Sequence, residues 1–409
     1  MKEKFTRAEL ARTCQAQLSL LVTILILTVL AALIFPLRSS NSIKVNAQSN
    51  TTLLVPQAYP TIQSAIDAAA SGDTIIVAPG MYQENLDISG KAIRLISEFA
   101  QSGDPAIISG SVIDGQLSGS KAAITIQNDS TGTEINGFTI QNAEAGISAR
   151  SNTFIVNNRF IGTVDGISVT NTNVEIRNNT FEQNTDDGID FDEISSGIIE
   201  NNIICNNGND GIEVRLHNYT GDPLNITIRG NFIANNQDDG IQLIDYPKVT
   251  PRVFLIERNI IVDNGKVGIG LMDKGKTFED FRGAPIPERI MVYDNTFSGN
   301  PYGLTGGANL IAINNIFANS SQAAMKNVQS GSIAAHNLFW ANNIDYENCS
   351  YDPATTFSGD PLLDAAYQPA SGSPAIDAGT AHFVWNGETV LDIAPEHYSG
   401  SAPDLGHTD

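Results

Sequence analysis

Eight asparagines recur at one phase of a repeating pattern: Asn158, Asn179, Asn202, Asn231, Asn259, Asn295, Asn315 and Asn337. Each is followed two residues later by a large apolar side chain, in turn Phe160, Phe181, Ile204, Ile233, Ile261, Phe297, Phe317 and Phe339. A unit of this size cannot bury its own apolar face, so successive copies must lean on one another as a stack of short coils. The clearest units read NNRFIGTVDGISV (157–169), NNTFEQNTDDGIDF (178–191), NNIICNNGNDGIEV (201–214) and GNFIANNQDDGIQL (230–243). Each is a strand, a polar turn, and a Gly-Ile that opens a second strand.

After that glycine the alternation Ile-x-Val or Ile-x-Leu has period two, which buries one face and leaves the other wet. Coiling such units places equivalent residues about 4.8 Å apart, so a side-chain amide on one coil reaches the next. A second column, Asn184, Asn207, Asn236, Asn264, Asn300 and Asn342, repeats the device five residues on. Asparagine tolerates the left-handed backbone of a tight turn and carries both a donor and an acceptor. Both columns are therefore expected to be structural.

With these ladders the chain resembles the right-handed parallel β-helix proteins, which include pectate lyases, polygalacturonases and pectin methylesterases. The resemblance covers residues 53–345 and implies an all-β, right-handed, single-stranded parallel β-helix solenoid. The segment from Tyr59 to Ser97 is similar to the usual opening of such helices. Pro60 can start a helix with Ile62, Ile66 and Ala69 on one face and Gly72 at its end, followed by TIIVA as the first strand. That helix would cap the apolar surface and strand edges exposed by the first coil.

Residues 18–35 carry no charge and are long enough to span a bilayer. Lys2, Lys4, Arg7 and Arg12 precede them, a bias that puts the N-terminus in the cytoplasm and the β-helix outside. The expected organisation is a cytoplasmic N-terminus (1–16), a transmembrane anchor or signal (17–37), a linker (38–52), the β-helix (53–345) and an irregular tail (346–409) packed on the last coils. If Val45-Asn46-Ala47 is a cleavage site, the product is secreted. Beyond residue 47 there are 17 Lys and Arg against 43 Asp and Glu, a net charge of −26, which excludes nucleic acid as a partner. Only Cys205 and Cys349 lie beyond the apolar segment, so no disulfide framework is implied. A monomer is expected.

Steps between ladder asparagines are 21, 23, 29, 28, 36, 20 and 22 residues. The three long coils take their extra residues at one phase, straight after the Gly-Ile strand, as 216–225, 245–252 and 273–289. Loops stacked on one edge of a solenoid make the wall of a groove. Beside it, Asp165, Asp187, Asp210 and Asp239 each precede the glycine, and Asp190, Asp192 and Glu213 take outward positions on the strands that follow. Asp before Gly is favoured in turns for backbone reasons alone. Acids stacked on adjacent strands repel one another, however, and that repulsion calls for a cation, unless Arg215 is itself the compensating charge.

The resemblance implies a calcium-assisted lyase of a uronate-containing polysaccharide, since proton removal beside a carboxylate needs that charge neutralised. Asp187, Asp190, Asp192, Asp210, Glu213 and Asp239 are the expected Ca²⁺ ligands, with Arg215 or Lys248 as the base. Tyr219, Tyr246, Lys274 and Arg282 on the loops are the expected substrate contacts, together with the ring of Phe278. A hydrolytic alternative rests on NTDDGID (184–190) and Asn209-Asp210, similar to polygalacturonases but without their Gly-His-Gly and Arg-Ile-Lys elements. GTVDGI (162–167) is a weaker likeness to pectin methylesterases. The remaining alternative is an anchored, non-catalytic glycan binder, because this fold hosts both kinds of protein.

Overall fold

A computed structural model describes residues 50–116, 121–329 and 331–407. The expected span at 17–37 lies outside them, and no helix among the described residues is long and apolar enough to cross a membrane. The strands form a parallel β-helix. Each coil contributes one strand to each of three long sheets, running from Thr52–Val55 to Ile333–Ala335, from Gly80–Tyr82 to Phe357–Ser358 and from Leu86–Ile88 to Tyr346–Glu347. One coil, for example, runs through Asn173–Arg177, Thr180–Glu182 and Ile189–Asp192, and each of these strands pairs in parallel with its counterpart in the next coil.

The ladder asparagines join the coils between the first and second sheets. Asn179 donates from its backbone N and its Nδ2 to Asn202 Oδ1, at 2.9 and 3.1 Å, and from Nδ2 to the Ile155 carbonyl at 2.8 Å. The contact repeats without a break to Asn315 and Asn337. The second column is linked in the same way from Asn184 to Asn300, as in Asn207 Nδ2 to Asn236 Oδ1 at 2.9 Å, whereas Asn342 accepts from Ser320 N of the intervening coil. The left-handed residue is not the ladder asparagine but the one before it: Asn157, Asn178, Asn201, Gly230, Arg258, Asp294, Asn314 and His336 all have positive φ. Turning and hydrogen bonding are thus divided between neighbouring residues. Inside the coil the apolar partners stack in register, with Phe160 on Phe181 at 4.7 Å between ring centres and Phe297 on Phe317 at 4.6 Å.

The capping helix, α1 (Ile62–Ala68), is shorter than expected and starts from Thr61, whose Oγ1 accepts the Ser64 N–H at 3.1 Å. Ile62, Ala65 and Ile66 are buried against the first coils. TIIVA is not the first strand, because Thr52–Val55 precedes it and pairs with Thr74–Val77. The stack continues past residue 345, since Tyr346–Glu347 and Phe357–Ser358 still pair with the third and second sheets. The rest of the tail runs back along the side of the solenoid. Its hairpin, His382–Trp385 with Glu388–Asp392, covers Tyr293, Ile311, Ile313 and Ile333, which would otherwise be an apolar stripe on the outside of the first sheet. Asp360 closes a local turn, accepting from Leu362 N at 2.9 Å, whereas Asp377 accepts from Ser401 N at 2.7 Å and so ties distant parts of the tail together.

Truncating one rung of the ladder tests the stack. Asn231→Ala removes an amide that bonds Asn202, Asn259 and the Ile199 carbonyl, leaving buried groups unpaired at about 1–3 kcal/mol each. We expect the unfolding free energy to fall by about 2–4 kcal/mol in urea titrations, with little change for an exposed control such as Asn128→Ala.

Candidate metal centre and groove

The outer face of the third sheet carries the chemistry. Ile189 and Phe191, Ile212 and Val214, Ile241 and Leu243 point into the core, so the alternate residues point out. The strand register aligns these as a column: Asp87, Thr125, Ser148, Ser168, Asp190, Glu213, Gln242, Gly270 and Thr305. The three insertions rise beside it and touch one another, as expected of a wall. The His217 and Tyr246 rings lie 4.2 Å apart, Lys248 N donates to Asn218 Oδ1 at 3.2 Å, and Gly275 N donates to the Asp245 carbonyl at 2.8 Å. Arg252, buried at the base, ties two of the loop entries together through the carbonyls of His217 and Glu193.

Of the six expected ligands, three come together. Asp187, Asp190 and Glu213 each offer an oxygen within 4.8 Å of the others, and Asp187 also belongs to a second group, with Asp165 and Asp186, of the same dimensions. Asp165 and Asp186 were not among the expected ligands. Three expected ligands fall elsewhere. Asp192 lies outside the three-carboxyl group and shares Arg215 Nη1 with Asp190, at 3.0 and 3.1 Å. Asp210 is a rung of a backbone ladder, in which Asp210 N donates to Asp187 Oδ1 at 2.9 Å and Asp239 N to Asp210 Oδ1 at 2.7 Å. Asp239 continues the ladder to Val267 N at 2.9 Å and turns its other oxygen toward Gln242 and Glu279. The Asp-Gly column, expected to form turns, is instead a ladder between coils in which each Asp accepts a backbone N–H from the next coil, and Asp187 combines that role with a place in the cluster.

Arg215 is the cation of this cluster. It contacts Asp190 at 3.1 Å, Asp192 at 3.0 Å and Glu213. Burial pushes the Asp190 carboxyl up to about 7 and the Glu213 carboxyl up to about 8, against the pull of the guanidinium. Burial, with Asp186 and Glu144 adding to it, lifts Asp165 to about 6, and Asp187 is raised by burial and by Glu213. Glu213 Oε2 and Asp210 Oδ2 are buried with no hydrogen-bond donor among the described residues. Buried carboxyls crowded together, under-supplied with donors and short of positive charge, fit a hard divalent cation. Arg215 itself is driven to a higher pKa by the surrounding acids, although burial opposes them, the opposite of what a proton-abstracting base needs.

Lys248 is exposed, and its side chain forms no ion pair among the described residues. Tyr219 and Tyr246 are half-buried in the wall. Lys274 and Arg282 project into solvent, 79 % and 81 % exposed, at 3.4 Å from Asp273 and 3.6 Å from Asp280. The exposed Phe278 ring carries Lys266 Nζ at 4.0 Å from its centre.

A groove of about 440 Å³ opens along the earlier coils of the same column, lined by Asp87, Lys121, Thr125, Ser148, Arg150 and Ser168 and reaching Asp165 at the edge of the cluster. Sequence reasoning placed the groove beside the three insertions and missed this stretch. Its signal was the outward alternation of small polar residues, Thr125, Ser148 and Ser168.

The profile of the family described as "Right handed beta helix region" matches residues 122–282. No curated protein matches the sequence. Among solved structures, the chain is similar to pectate lyase Pel9A, at 15 % identity over 89 % of this chain and 97 % of that one, with a TM-score of 0.58. It is also similar to an alginate lyase from Paenibacillus sp. (17 % identity, 75 % and 99 % covered, TM-score 0.41). An α-1,3-glucanase catalytic unit from Streptomyces thermodiastaticus has 15 % identity, with 73 % and 64 % covered and a TM-score of 0.47. The fold is thus a right-handed parallel β-helix of the pectate lyase-like type.

The raised carboxyls give stability a definite pH dependence. In the unfolded chain Asp190 and Glu213 titrate near 3.8 and 4.5, and in the folded one near 7 and 8. The folded state therefore binds more protons across that window, so their contribution is full in acid and lost as pH rises toward about 8. We expect the melting temperature measured with chelator to fall between pH 5 and 8, and Asp190→Asn to flatten that fall.

Proposed function

We propose that this protein is a calcium-assisted lyase acting on a uronate-containing polysaccharide. The single observation that carries the reading is the pair of overlapping carboxyl groups, Asp165–Asp186–Asp187 and Asp187–Asp190–Glu213, at the edge of a groove on the outer sheet face. Those five residues would hold Ca²⁺, which when bound would neutralise the uronate carboxylate and acidify the neighbouring proton. Arg215, always charged beside three acids, is suited to gripping an anionic group of the substrate rather than to taking a proton. Of the two candidate bases, Lys248 is the one with no ion pair to a carboxylate among the described residues. Tyr219 and Tyr246 supply ring faces along the wall. The proposed setting is outside the cytoplasm, tethered or released according to the fate of residues 17–37.

A second reading is favoured by the same raised carboxyls. Glu213, holding its proton to about 8, has the state required of a general acid in glycoside hydrolysis. Polygalacturonate and alginate incubated with and without Ca²⁺ separate the two. We expect Ca²⁺-dependent ultraviolet absorbance from an unsaturated sugar; new reducing ends without it would replace the lyase with a hydrolase, and binding without either product would leave a glycan binder. Lys248→Ala should lower kcat by roughly 10²–10⁴-fold with substrate binding retained, whereas Asp187→Asn should weaken Ca²⁺ binding at least about tenfold, or about 1.4 kcal/mol.

A further inference from the structure

The outer column of the third sheet is open at one end and shut at the other. Asp87 is exposed, and Thr125, Ser148 and Ser168 are partly exposed. Asp190 retains 7 %, and Glu213, Gln242 and Thr305 have no accessible surface. Asp190 and Glu213 are in contact with Arg215; at Gly270 and Thr305 the cover is the longest insertion, 273–289, which folds back onto the sheet instead of only standing beside it.

Glu279 of that insertion is buried against Gly270, the next position of the column. A side chain at Gly270 would meet Asp239 Oδ2 and Glu279 Oε2 at 2.1 and 2.6 Å, so the site has room for glycine alone. The two carboxyls, both raised by burial, are close enough to share a proton, which fastens the loop at this point. Further along, the Phe281 ring packs on Tyr302 at 5.4 Å and Asn327 Nδ2 donates to the Arg282 carbonyl. Gly283 lies so near Gly306 that an added Cβ would sit 2.5 Å from its nitrogen. The insertion thus lies on the coils of Gly270 and Thr305, the second and third beyond Glu213.

We propose that the groove is a dead end: a polysaccharide enters along the earlier coils with one terminus leading, stops against the 273–289 insertion, and is processed from that end. The inference rests on the reading of the site as carbohydrate-active and adds its mode of attack. A polymer lying across an open face can be cut anywhere, whereas a chain that cannot pass the Glu279–Gly270 contact, three positions past Asp190, presents only its terminal residues to the cluster. Lys121 and Arg150, cations on the groove lining, are placed to hold the trailing acidic residues.

The test uses the full chain with polygalacturonate, alginate and oligomers of each of defined length, untagged or carrying a bulky fluorophore at the reducing or the non-reducing end. We expect a single short product from the earliest time points, with viscosity lagging behind bond cleavage, and protection of the oligomer when one particular terminus is tagged. A ladder of internal fragments from the unaltered protein, or equal cleavage of both tagged oligomers, overturns the proposal. Replacing 275–282 by a short Gly-Ser link should convert the product pattern to a ladder. If that variant does not fold, the profile of the unaltered protein decides alone. Reducing ends without unsaturation would sink the lyase reading and leave end-wise entry to be judged from the same sizes. With no cleavage, binding of the tagged oligomers decides: exclusion of one tag supports the dead end, equal binding refutes it, and no binding of any probe refutes both claims.

Discussion

One translation, a single strand spacing from coil to coil, governs this molecule. It places like on like at every position, and the consequence depends on the side chain repeated. An amide has a donor and an acceptor, so Asn202 can receive from Asn179 while giving to Asn231, and the column is satisfied without help from solvent. A carboxylate has acceptors only. In the Asp165–Asp187–Asp210–Asp239 column each acid takes a backbone N–H from its neighbour, yet one oxygen of Asp210 is left with no hydrogen-bond donor among the described residues.

The sheet face next to this column concentrates the imbalance. Asp190 and Glu213 are Cα partners on adjacent strands, and burial makes their charged forms costly. Two remedies are available to the free protein, protons and Arg215, and it uses both. A divalent cation would supply what both provide. It would also cancel the field that raises Arg215, so cation, proton and guanidinium compete for the same oxygens. The candidate site is in this sense a product of the repeat, arising where the stacking rule that stabilises the amides is applied to acids.

The periodic parts were legible in the sequence because periodicity is what a solenoid repeats. Ladder positions, the inward Phe and Ile columns, and the common phase of the insertions all followed from residue spacing, and Asp190 and Glu213 from period-two alternation. What the sequence could not convey depends on where non-repeating segments come to rest. Glu279 lies in a stretch with no counterpart in other coils, and nothing local says that it will settle on Gly270. Asp186 looks like a turn residue until the chain brings it beside Asp165 and Asp187. The tail carries turn signals but no indication that its hairpin will cover the outer stripe at Tyr293 and Ile311. Arg215 was legible both as a candidate base and as the charge compensating the acids beside it, and the fold shows the second in its contacts with Asp190, Asp192 and Glu213.

The competition at the acidic cluster is open to one direct measurement, calorimetric titration of the protein with Ca²⁺ near pH 7 in buffers of different ionisation enthalpy. Protons held by Asp190 and Glu213 must leave as the metal binds. The account therefore requires binding heats that change with the buffer and reveal net proton release, diminishing as the pH is raised above about 8. Ca²⁺ binding with no proton release at pH 7, or no binding at all, would contradict it.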